Sequence, residues 1–169
     1  MSKILATLLL ILSLPTLALA KTVTVEQVLD GNTFMTTDGD RVRLIGVDVP
    51  NSQDCYANKS KNYLEHLIRD KEVTLKFDED RRDSGDRLLA YVYADSFINR
   101  KLLQKGYGAV ITDEPNTAHA NTFTEDQITA QKEARGVWGH CVVIIADYLP
   151  AKVTNVSVSD IWTDSAEII

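Results

Sequence analysis

Two tight turns cut a valine-rich alternation into short pieces, and this constrains the fold more than any other feature of the chain. From Thr22 to Leu29, valine alternates with polar residues, which predicts a strand with one buried face. Asp30-Gly31-Asn32 interrupts the run as a turn. Thr33 to Thr37 predicts a second strand, and Asp38-Gly39-Asp40 is a strong hairpin signal. Val42 to Val47 predicts a third strand, closed off by Asp48-Val49-Pro50. The first part therefore reads as a three-stranded meander.

The rest alternates helix and strand. After a polar loop to about Ala57, Tyr63, Leu64, Leu67 and Ile68 recur at helical spacing, predicting a helix near residues 59–69. Val73, Leu75 and Phe77 alternate as a fourth strand. A charged loop, 78–86, leads to a fifth strand over 88–93. Ile98, Leu102 and Leu103 mark a second helix that Gly106 stops. Residues 112–121 read as irregular loop. Thr124 and Gln127 stand at capping-box spacing and predict a third helix from Thr124 to about Arg135, ended by Gly136. Residues beyond about 147 show no period and are read as a tail, 148–169. Five short strands with interspersed helices fit a small closed barrel with three helices packed outside, an α+β, mostly β, OB-like architecture. Periodicity alone leaves other α+β folds open.

The N-terminus reads as a signal peptide over residues 1–20. Lys3 begins it, an apolar run from Ile4 to Leu17 follows, and Ala18-Leu19-Ala20 is a small-x-small cleavage pattern. The run is short for a membrane span, and no later run is long enough. The mature protein is expected to be secreted, periplasmic or extracellular, without a membrane anchor, and monomeric. Its domain is expected over 21–147. The two cysteines, Cys55 and Cys141, are expected to pair in an oxidising compartment. His66, His119 and His140 do not stand at zinc-site spacing. Asn58-Lys59-Ser60 and Asn155-Val156-Ser157 match the weak glycosylation sequon.

The formal charge is −6, and loss of Lys3 makes it one unit more negative. Phosphate contacts dominate non-specific nucleic-acid affinity, so this balance disfavours an ordinary nucleic-acid binder without excluding a local basic patch.

Several ordered motifs are more specific than the pattern. They are residues 28–33, Val-Leu-Asp-Gly-Asn-Thr; residues 43–50, Arg-Leu-Ile-Gly-Val-Asp-Val-Pro; residues 83–93, which contain Arg87-Leu88-Leu89-Ala90-Tyr91; residues 99–103 with Gly106; and residues 130–138, ending Gly-Val-Trp. Together, in this order, they resemble the staphylococcal nuclease family from about residue 22 to 140. The resemblance implies an OB-fold and calcium-dependent hydrolysis of phosphodiesters in DNA and RNA. A hard cation needs oxygen ligands, a carboxylate must act on the attacking water, and guanidiniums grip the phosphate.

Residue by residue, the resemblance gives a mixed result. Asp48 stands at a metal-carboxylate position, and Val49 at the position that offers a backbone carbonyl. Asn32 stands where the family has its other metal-binding aspartate. Asn51 stands at the position of the glutamate that acts on water. Arg43 and Arg87 stand at the two phosphate-gripping positions. From spacing alone, an arginine near Asp48 could instead simply satisfy that carboxylate. Asn32 retains an oxygen for calcium but removes a charge, so Ca²⁺ is expected to bind weakly or not at all. Asn51 cannot take a proton at neutral pH. Asp54 is a candidate substitute that reads more simply as a loop residue, and Asp30 is a candidate outer support for the metal.

Nucleotide-binding features are thinned as well. Ser84 and Gly85 replace a lysine and a tyrosine, and Thr112 and Glu114 stand where stacking tyrosines are expected. Nucleic acid or a nucleotide is the expected partner of a phosphodiesterase with impaired or altered activity; the alternative is an inactive module on the same fold that binds an oligonucleotide, a nucleotide or a protein partner.

Overall fold

The structure, a computed structural model, describes residues 20–141. Apart from Ala20, the expected leader lies outside the described residues, as do residues 142–169. No described helix is long and apolar enough to cross a membrane.

Strands β1 (Ala20–Val28), β2 (Thr33–Thr36) and β3 (Arg41–Leu44) form the expected meander. A two-residue strand, β4 (Val47–Asp48), follows, and then α1 (Ala57–Ile68), β5 (Glu72–Lys76) and β6 (Leu88–Tyr93). The chain continues through α2 (Ile98–Gln104), β7 (Ala109–Val110), α3 (Ala120–Lys132) and α4 (Val137–His140). The barrel closes in the order β1-β2-β3-β6-β5, with β3 and β6 parallel and the other pairs antiparallel. This is the expected five-stranded OB-type barrel with helices outside.

The valine alternation does the work assigned to it. Val23 and Val25 point inward, a bulge between Val25 and Gln27 shifts the register, and Val28 then also faces the core. Phe34, Leu44 and Leu75 fill the barrel, while Leu64, Ile68, Ile98, Leu102 and Leu103 pack from the helices. Tyr91 is buried as a wall residue, and its hydroxyl donates to Asp78 Oδ2 at 2.8 Å.

Two elements depart most from the sequence reading, the third strand and the third helix. The third strand does not run through to Val47. It stops at Leu44, because Gly46 turns the chain with φ +73, and a Cβ there would lie 2.6 Å from the Phe123 ring. Val47 and Asp48 pair instead with Val110 and Ala109 in a second small sheet. The third helix begins at Ala120, a full turn before Thr124. The Thr124 hydroxyl donates to the Ala120 carbonyl at 2.9 Å, and Gln127 Oε1 accepts from the Val110 amide at 2.6 Å, so the two residues do not form a capping box. The helix ends at Lys132, and the short α4 follows Gly136.

Candidate active site

The site grows from the β1–β2 turn. The Asn32 amide N–H donates to Asp30 Oδ1 at 2.9 Å, and the Leu29 N–H donates to the Thr33 carbonyl at 2.9 Å. This closed turn carries the Asn32 side chain inward, where the residue is 1% exposed. Gly31 lets α1 approach closely: a Cβ there would lie 2.8 Å from Ser60 Cβ.

Both ends of the Asn32 side chain are engaged. Nδ2 donates to the Val47 carbonyl at 2.8 Å. Oδ1 accepts from the Thr33 hydroxyl at 3.0 Å and from Arg43 at 3.5 Å. Arg43 extends from β3 opposite Thr33, and its other terminal nitrogen meets Asp48 Oδ1 at 3.4 Å. That separation is long for a charge-assisted bond, so the guanidinium is loosely held. Burial pushes the Asp48 carboxyl above its usual range, against the opposing pull of the Arg43 charge.

Asn51 is exposed. Its backbone N–H and its Nδ2 both donate to Asp54 Oδ2, at 2.9 and 3.0 Å. The Asp54 N–H returns to the Asn51 carbonyl at 2.8 Å. Asp54 thus ties the loop together.

A cavity of about 350 Å³ opens here, lined by Asn32, Arg43, Asp48, Val49 and Asn51. The structure thereby gathers five of the six residues that the sequence motifs singled out. Arg87 is not among the lining residues. Its Nε donates to Asp83 Oδ2 at 2.6 Å, and its backbone N–H donates to Asp83 Oδ1 at 3.0 Å. Burial pushes the Asp83 carboxyl up, but the Arg87 contacts outweigh that and hold it below the usual carboxylate value.

Among the lining residues that sequence reasoning missed are Asn58 and Lys61. The signal for Lys61 was available. It stands in register with Ala57, Leu64 and Ile68, the buried face of α1, so it is a lysine placed in an apolar stripe.

Residues 41–140 match the family model described as "Staphylococcal nuclease homologue". The chain belongs to the staphylococcal nuclease family. It is 33% identical over 128 residues to the SPbeta prophage-derived endonuclease YokF of Bacillus subtilis, a match covering 69% of this chain and 43% of that protein. It is 32% identical over 124 residues to a thermonuclease of Staphylococcus intermedius, covering 68% and 74%. It is 32% identical over 128 residues to endonuclease YncB of Bacillus subtilis, covering 69% and 61%. The match therefore spans less than half of YokF.

The staphylococcal nuclease family is calcium-dependent in general, which sets a test for the cavity. Calcium takes six to eight oxygens, several of them carboxylate. Here Asp48 faces Arg43, Asp30 accepts from the Asn32 backbone, and both ends of the Asn32 side chain are used. Among the described residues, no group of three or more His, Cys, Asp or Glu is placed to hold a metal ion. This donor set does not fit a calcium ion.

The cysteines pair as expected: Cys55, in the loop before α1, is bonded to Cys141 beyond α4.

Proposed function

We propose that this chain engages the phosphodiester backbone of nucleic acid at the Arg43 cavity and that its hydrolytic capacity is impaired relative to its family. One observation carries the reading. Asn32 is built in as an amide, because its Nδ2 donates to the Val47 carbonyl while its Oδ1 accepts from Thr33. A carboxylate at this position would set oxygen against oxygen.

The remaining chemistry is that of a phosphate grip. Arg43 presents a loosely paired guanidinium that can turn toward a phosphate oxygen and stabilise charge developing on it. Asn51, at the position where water would be deprotonated, can orient a water but cannot accept its proton. Loss of a general base costs about 10²–10⁴ in rate. The disulfide supports placement in an oxidising compartment, the secreted location expected from residues 1–20.

The test is cleavage of single-stranded DNA, duplex DNA and RNA by the mature protein, with calcium, other divalent metals or a chelator. The comparison is Asn32→Asp combined with Asn51→Glu. The wild type is expected to cut at least about 10²-fold more slowly than the double variant. Equal rates would overturn the reading.

A further inference from the structure

Lys61 lines the Arg43 cavity and is half-buried, yet no carboxylate pairs with it among the described residues. Among the described residues, eight other basic side chains do pair with a carboxylate. Lys59 lies over the Tyr56 ring at 4.4 Å, and Lys21, Lys71 and Arg82 each have an acidic partner. A partly covered cation that lines a cavity without a counter-charge is available to an incoming anion.

The surroundings favour an anion. The two carboxylates of the cavity are already engaged, Asp48 by Arg43 and Asp30 by the Asn32 N–H. Asn51 and Asn58 are neutral at the rim. The cavity also opens at the first turn of α1, which holds no acidic residue and receives no side-chain cap, so the positive end of that helix is unopposed. Where further acids would be needed to hold a cation, the cavity has the amides Asn32 and Asn51, and Asp30, its one carboxylate without a cationic partner, is turned to the Asn32 N–H.

We propose that Lys61 and Arg43 bind a phosphodiester anion of single-stranded nucleic acid directly, with Lys61 supplying positive charge, so that binding needs no divalent metal. This rests on the phosphodiester reading above and names the residue and the charge balance that would carry it.

Binding of a short fluorescent oligothymidylate to the full mature protein tests it by anisotropy, in calcium and in chelator, across a salt series. Equal affinity with and without calcium is expected. Lys61→Gln is expected to weaken binding roughly tenfold, the loss of one charge-assisted hydrogen bond. It should also lower the salt slope by about 0.7, one contact fewer on a single strand. Lys61→Arg should restore both. Lys59→Gln, on the same helix but outside the cavity, should change affinity far less. Calcium-dependent binding would overturn the inference, and so would a Lys61→Gln protein that binds like wild type while Arg43→Gln weakens. In those cases the phosphodiester reading survives. If Arg43→Gln also leaves binding unchanged, or if no binding occurs, both readings fall.

Discussion

At the scale of single residues, Asn32 has two roles that pull apart. Its amide completes the buried network that joins the β1–β2 turn to Val47, while the family resemblance implies a metal-binding position there. Asn32→Asp should therefore lower stability by about 1–3 kcal/mol, because the Val47 carbonyl loses its donor and faces a carboxylate. Urea unfolding at neutral pH measures this, and an unchanged midpoint would show that Arg43 compensates. Much of this site was legible in the sequence. Asn32, Arg43, Asp48, Val49 and Asn51 lie in or beside two short turns, so local order suffices to bring them together. Arg87 belongs to a recognisable motif, but its pairing with Asp83, away from the cavity lining, depends on how the loop before β6 bends. Lys61 stands in a readable helical stripe, but that this stripe meets the cavity at Lys61 follows only from the packing of α1 on the barrel.

At the scale of elements, α2 and α3 are held by one polar clamp. Arg100 donates to both Asp126 oxygens at 2.6 and 2.9 Å, and Gln104 adds a third bond at 2.9 Å. Burial pushes the Asp126 carboxyl up, but these donors outweigh it and hold it below its ordinary value of 3.8. A carboxyl lowered on folding stabilises above its unfolded value, and the stabilisation is lost as pH falls through the folded value. Asp126→Asn should cost about 1–3 kcal/mol at neutral pH. The gap to wild type should close below about pH 3.8, as thermal unfolding across pH would show. A constant gap would point to shape rather than charge. On the other face of α2, Asn99 accepts from the Val92 N–H and donates to the Ile45 carbonyl, fixing the helix to the barrel. The long periodic elements were readable because burial on one face imposes a period. β4 and β7 were not, since two residues carry none. The start of α3 was misread because Thr and Gln serve equally well as a cap or as partners to other backbone groups.

For the whole molecule, the disulfide closes a loop with a sequence separation of 86 between Cys55 and Cys141. Chain-entropy reasoning assigns such a closure about 4 kcal/mol, so reduction should lower Tm by roughly 10–20 °C. Calorimetry with and without reductant checks this, and an unchanged Tm would mean that the unfolded chain gains little freedom. The same loop divides the molecule for mechanical force. β1 to β4 lie before it, while α1 to α4 and β5 to β7 lie within it. Pulled from handles at residues 21 and 141, the oxidised protein can extend only its first segment. About 300 Å of contour stays locked inside the ring until a reductant cuts it.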